Sequence, residues 1–432
     1  MNGGKRVIRG RVLTFTDDPA EAGASARRTF EDGAVLVEDG RIAAVGEARD
    51  VLVRAPEGAA VDDHSDAIVM PGLIDVHIHY PQTQVIASYG AQLLDWLHNY
   101  TFVEEQRFAD PSHCERVAEF FLNELFRNGT TTALVYCTVY PQSAEAFFAA
   151  AERVDARMIA GKAMLDRNAP KALLDTVQTS YDDSKALIEK WRGRGRLDYA
   201  VTPRFAITST PAQLDAAGAL MKEFPGVYMQ SHVDENTDEI EFVRQLFPEA
   251  KNYLDVYRRA GLLGPRSVFG HCIHMTEDEV GAMAETGSVA AFCPTSNLFL
   301  GSGLFDRSRL AGAGVRIGLA TDVGGGTSYS MLRTAAEGYK VLQLNGQSWP
   351  AAAALYQMTL GNARALGLDH AIGSIEVGKD ADLVVLDSRA TPAMAHRMET
   401  VEDLDKELFV LVTLGDDRAV RQTYVAGEPR KA

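Results

Sequence analysis

Eight short apolar runs rich in β-branched residues recur between about residues 70 and 370, each followed by a polar, helix-compatible segment. The runs are DVHIH, TTALVY, MIAGKAML, YAVTPRFA, VYMQSHVDE, VFGHCIHM, VAAFCPTSN and RIGLATDVG. Between them stand segments such as PQSAEAFFAAAERV and TPAQLDAAGALMKEF, whose apolar residues fall at helical spacing. Eight strand–helix units in about 300 residues match the size and rhythm of a (β/α)8 barrel. A doubly wound open sheet is the alternative, and it calls for a glycine-rich phosphate loop after the first strand. None is there. The run Gly324-Gly325-Gly326 follows the last strand instead and lacks dinucleotide spacing.

Both ends of the chain read differently from the middle. VIRGRVLTF and GAVLVEDGRIAAVGEA alternate apolar and polar residues, with Asp39-Gly40 as a hairpin turn, and DADLVVLDS and RAVRQTYVAGE repeat the pattern near the C-terminus. One discontinuous β-domain, residues 1–69 with 371–432, is expected around an inserted barrel, residues 70–370. The fold class is therefore α/β, a TIM-like barrel with a small β-domain formed by both termini.

With 43 basic and 59 acidic residues the formal charge is −16. A chain this acidic gains nothing from phosphate backbones or anionic bilayers, which argues against nucleic-acid polymers and membrane surfaces as partners. MNGGKRVIRGRVLTF lacks the apolar core of a signal peptide, and no run is long enough for a membrane helix. Cys114, Cys137, Cys272 and Cys293 are far apart and form no CxxC pair. A soluble, cytoplasmic protein is expected.

Catalytic side chains of a barrel come from the C-terminal ends of several strands. Five of the ten histidines fall at such ends: His77, His79, His232, His271 and His274. His77 and His79 are two apart, so both imidazoles point to one side of a strand. His232 closes MQSH and Asp322 closes GLATD. Three nitrogens and a carboxylate converging at a barrel mouth suit one Zn2+, or Fe2+, holding a water. Glu235, three residues past His232, reaches that water as a proton carrier. His271 is placed to hold the water or a developing oxyanion, whereas His274 is read as structural.

PGLIDVHIH, SHVDEN, GHCIH and LATD together resemble the amidohydrolase superfamily, and GSIEVGKDADLVVLD resembles its return to the β-domain. The resemblance implies a metal-dependent hydrolase on a (β/α)8 barrel. Two-metal members bridge their ions with a carboxylated lysine or a glutamate. Lys162 is the only lysine in a barrel-strand run, but it lies on the third strand where the bridge usually ends the fourth. HxxE after the fifth strand resembles the one-metal, deaminase-like arrangement, with Lys162 structural. HIHYPQ, LLDWLHNYTFVEE, DRNAP, TPRFA, SHVDEN and CPTSNLFLGSG resemble segments of the guanine deaminase family most closely. That resemblance implies a base pocket lined by Gln82, Arg204 and Phe205; Trp96 is read as part of a loop or helix covering the mouth rather than as a base-stacking residue. It also implies a homodimer. The expected reaction is metal-assisted attack of water on C2 of guanine, with Glu235, His271 and Asp322 handling protons and charge and ammonia leaving. Other one-metal aminohydrolases, acting on adenosine-like or triazine substrates, are the nearest alternative.

Overall fold

A computed structural model of the chain describes residues 4–90 and 92–431. Strands Arg6–Phe15, Arg27–Glu38, Arg41–Glu47 and Ala60–Pro71 join Leu383–Leu386, Val420–Val425 and Glu428–Pro429 in one seven-stranded sheet. Asp39 and Gly40 turn the hairpin between Arg27–Glu38 and Arg41–Glu47, with φ of 51° and 76°. A two-residue loop needs that left-handed pair to match the strand twist. The two ends of the chain meet where Leu383–Leu386 pairs antiparallel with Ala60–Pro71. The C-terminal stretch is not all β. Helices Pro392–Met398 and Leu404–Leu414 intervene, and the second packs on helices Met331–Leu344 and Ala351–Tyr356 of the barrel.

Eight parallel strands form the barrel: Leu73–His79, Thr130–Tyr136, Arg157–Gly161, Asp198–Pro203, Tyr228–Val233, Ser267–His271, Val289–Phe292 and Arg316–Leu319. They neighbour one another in sequence order. The seam between the last and first strands is tied by backbone and side chains together. Asp322 N donates to His77 O at 3.0 Å and His79 N to Val323 O at 2.7 Å. Lower down, the fully buried Asn362 donates to Ile74 O and Leu319 O and accepts from Leu319 N. Asp75 accepts from His77 N and from both the backbone and hydroxyl of Thr321. These bonds replace a regular ladder and pin the strand that carries His77 and His79 against the one that ends at Asp322.

Ile74, Val76, Leu134, Ile159, Ala200, Tyr228, Val268, Val289, Ala291 and Ala320 form one buried cluster with Ala363 and Leu366. This is the packed barrel interior, filled by side chains rather than left as a pore. Gly270 shows how tight it is, since a Cβ there would meet the His77 ring at 2.7 Å. The terminal sheet docks through a buried ion cluster. Asp380 accepts from Arg157 Nε at 3.0 Å, and Asp382 from Arg196 Nη1 at 2.8 Å. All four cysteines are buried and free, and no helix among the described residues is long and apolar enough to cross a membrane.

Candidate active site

His77 and His79 lie at the end of the first barrel strand, His232 near the end of the fifth, and Asp322 just past the eighth. His79 Nε2 is 3.3 Å from both His77 Nε2 and His232 Nε2. Asp322 Oδ1 is 3.3 Å from His77 Nε2 and 3.2 Å from His79 Nε2. Two ligand atoms on a tetrahedral ion, at about 2.0–2.1 Å from it, stand about 3.3 Å apart. Four of the six pairs have that spacing, and all four ligand atoms lie within 4.8 Å of one another, close enough for one ion.

Protonation supports the same fit. His232 Nδ1 lies 2.6 Å from Arg204 O, so it carries the proton and leaves the Nε2 lone pair facing the cluster. Burial lowers the His79 pKa to about 3 and holds His232 well below the ordinary imidazole value. Burial opposes ionisation of Asp322, but hydrogen bonds from His77 and His79 outweigh it and hold that carboxyl well below the usual range. The neutral His79 and His232 imidazoles beside an ionised Asp322 are donors of the kind a divalent metal takes.

Sharp turns at the strand ends aim these groups. Asp234, His271 and Asp322 have φ of 51°, 75° and 51°, in the left-handed region that ordinary residues avoid unless the surroundings enforce it. The glycine run after Asp322 makes the last turn possible, since a Cβ on Gly326 would lie 1.8 Å from Thr321 O. After the fifth strand the sequence ENTDE explains how Glu235 is held. Asn236 caps helix Thr237–Leu246, and Glu239 reaches back to accept from Asn236 N and from Glu235 N at 3.0 Å.

Glu235 Oε2 is 3.2 Å from His271 Nε2, and Glu235 Oε1 accepts from Ser302 Oγ at 3.2 Å. Burial, with the Asp322 charge second, raises its pKa to about 8. His271 Nδ1 bonds Asn297 Oδ1 at 2.9 Å, which turns Nε2 toward Glu235 and Asp322. His274 points elsewhere, to Ser302 O at 2.7 Å, and so fixes the loop that carries the Glu235 partner. Lys162 Nζ is buried against Asp175 and Ala163 O, so it serves packing and not the metal cluster.

A cavity opens over this group. Gln82, Arg204 and Phe205 line it with His79, His232, Glu235, His271 and Asp322. Leu93, Trp96 and Leu97 cover it, and Trp96 Nε1 anchors that cover on Ser88 O at 3.1 Å. The structure thus gathers every residue singled out from the sequence except His274 and Lys162. It adds Asp75, Glu105, Asn297 and Ser302, which hydrogen-bond to His77 N, to Arg204 and Gln82, to His271 and to Glu235 respectively. Cys293 Sγ also stands within 4.8 Å of ligand atoms of His271 and Asp322. Asn297 and Ser302 lie within CPTSNLFLGSG, but their spacing there gives no hint of which side chain each would meet.

One pH dependence follows. Burial raises Asp75 to about 7, Glu239 to about 7 and Glu235 to about 8, all above ordinary carboxyl values. Between about pH 6.5 and 8.5 the folded chain therefore binds more protons than the unfolded one, and stability falls as pH rises. Metal-free protein is expected to melt at a lower temperature at pH 8.5 than at pH 6.5 in a thermal scan. A bound cation favours the ionised carboxylates and should flatten the trend. A metal-free melting point that rises over this range would contradict the burial of protonated carboxyls.

The Amidohydrolase family model matches residues 68–430, and residues 33–57 match an imidazolonepropionase-like composite domain of bacteria. The chain is 47% identical to guanine deaminase of Escherichia coli over 98% of its length and 97% of that protein. It superposes on a solved structure of the E. coli guanine deaminase with a TM-score of 0.96, covering 98% of this chain and 99% of that one. A guanine deaminase from C. acetobutylicum, solved with guanine bound in its active site, is 27% identical with a TM-score of 0.87, covering 99% and 100% of the two chains. Matched from end to end in both sequence and fold, the chain belongs to the amidohydrolase family, among its guanine deaminases.

Proposed function

We propose that this chain is a zinc-dependent guanine deaminase, converting guanine and water to xanthine and ammonia. The observation that carries the reading is Arg204 and Gln82 standing in one cavity with Glu235 and the His77, His79, His232 and Asp322 cluster. A zinc ion held by those four residues, with Fe2+ as the other candidate, supplies Lewis acidity that ionises water near neutral pH. One ion per chain is expected, because Lys162 is engaged with Asp175.

The chain's own groups divide the remaining work. Arg204 and Gln82 present N–H donors to the O6 and N7 acceptors of the base, and Phe205 walls the pocket. Glu235 takes a proton from the attacking water and delivers it to N3, which leaves C2 electron-poor. The oxygen adds to C2, and its remaining proton is taken up by Asp322. His271 Nε2, oriented by Asn297, steadies the oxygen during the addition. Asp322 then passes that proton to the exocyclic amine, and ammonia departs as the C2 carbonyl forms. The reading includes a cytoplasmic homodimer with guanine as its small-molecule partner. Net charge −16 supports the absence of nucleic-acid polymers and anionic membranes among its partners.

The test is ammonia release across guanine, adenine, cytosine and melamine, with Arg204→Lys as its sharpest arm. A lysine point charge cannot reproduce a planar two-donor contact, and an unpaired buried group costs roughly 1–3 kcal/mol. Arg204→Lys is expected to lower kcat/KM for guanine at least about tenfold with metal content unchanged. The loss should be smaller for 2-aminopurine, which keeps N7 but lacks O6. Equal losses on both bases would remove Arg204 from base recognition. Absence of ammonia from guanine would overturn the reading.

A further inference from the structure

Glu105 does not line the cavity, yet it touches both polar residues that recognise the base. It closes the short helix Phe102–Glu105 beneath the cover of the mouth and is 1% exposed. Its Oε1 accepts from Arg204 Nη1 at 2.9 Å and from Gln82 Nε2 at 3.2 Å. The other face of the Gln82 amide is fixed as well, since Oε1 of Gln82 accepts from Gly324 N at 3.3 Å. Glu105 Oε2 is buried with no hydrogen-bond partner among the described residues. An unpaired buried carboxylate oxygen is costly, so a role confined to packing is better filled by a neutral side chain.

We infer that Glu105 is a specificity-determining positioning residue: it fixes the polarity of the base-reading face, so that the pocket presents donors only and selects 6-oxopurines over 6-aminopurines. The inference rests on the assignment of Gln82 and Arg204 to the base. A carboxylate is acceptor-only when ionised. Beside it, the Gln82 amide cannot flip, because flipping would set its carbonyl against the carboxylate and its NH2 against the Gly324 N–H. The second Gln82 N–H is what remains for a ligand. Arg204 is held by Nη1, leaving Nε and Nη2 free to donate. Two adjacent donors complement the O6 and N7 acceptors of an oxopurine. An amino group at position 6 would place donor against donor, and sites built on hydrogen bonding reject such mismatches strongly.

Glu105→Gln is nearly isosteric, but its amide can donate or accept and so releases Gln82 from a single orientation. The readout is kcat/KM for guanine against 2,6-diaminopurine, which keeps the 2-amino leaving group and N7 but carries an amine at position 6. The variant is expected to lose at least about tenfold in kcat/KM for guanine, mostly through KM. Its preference for guanine over 2,6-diaminopurine should fall by at least about tenfold, with metal content unchanged. A packing role would lower both substrates equally and leave the ratio intact, which would overturn the inference. Should the variant fail to fold, the wild-type enzyme still decides through inhibition by two bases without a 2-amino group. Hypoxanthine should inhibit at least about tenfold more strongly than adenine, and equal inhibition would refute a donor-only face. A wild-type enzyme inactive on guanine would sink the functional reading itself; an active one whose variant keeps its substrate ratio would sink this inference alone.

Discussion

Glu235→Gln is expected to leave a folded, metal-loaded protein with almost no turnover. Glu235 stands outside the four-residue metal cluster, and the substitution keeps side-chain size, so metal content should match the wild type. What disappears is the proton carrier. Glu235 Oε2 faces His271 Nε2 at 3.2 Å in a buried pocket, and its raised pKa of about 8 suits a group that must both take and give a proton. A bound dication draws that value back toward neutrality, into the working range of a general acid–base. Such groups contribute on the order of 10²–10⁴ in rate. Here one residue serves both the water and the ring nitrogen, so a loss at or beyond the upper end is expected. Ammonia release beside metal analysis of the same sample measures it. Near-normal turnover would show that Glu235 carries no proton and that His271 or Asp322 suffices.

Removing a ligand should be equally severe, by a different route. His79 Nε2 lies within 3.3 Å of His77, His232 and Asp322, so His79→Ala opens the centre of the cluster. Metal content is expected to fall from about one ion per chain to near zero, and ammonia release with it. Lys162→Ala is the contrasting case. It takes the cation from the largely buried Asp175, which keeps only the Ser180 hydroxyl as a side-chain partner, at a cost of up to about 3–5 kcal/mol. The melting temperature should therefore drop while the ion stays. Two ions per chain, both lost in Lys162→Ala, would overturn the one-metal reading.

Several features were legible before any coordinates because they depend on local pattern. The alternation of apolar runs with helical segments predicts the barrel, and the strands lie where those runs stand. HxH at period two on a strand predicts two imidazoles on one side, and His77 and His79 meet the same Asp322 oxygen. The apolar stretch 408–414 is less transparent. It suits a buried strand or a buried helix equally, and contact with helices Met331–Leu344 and Ala351–Tyr356 makes it helical.

The sequence by itself determined the barrel, the terminal β-sheet and which side chains stand at the strand ends, because each is encoded by periodicity or short spacing within one element. Only the tertiary structure decided how those residues are steered. Asp75 meets Thr321 across the seam, His271 meets Asn297 from the next strand unit, and Glu105 reaches Arg204 from a segment 99 residues away. Hydrogen bonds between groups so far apart in the chain depend on the closure of the barrel, which sets strand register and the turn at each strand end. No local pattern carries that information, since the side chains that orient a site need only be near it in space.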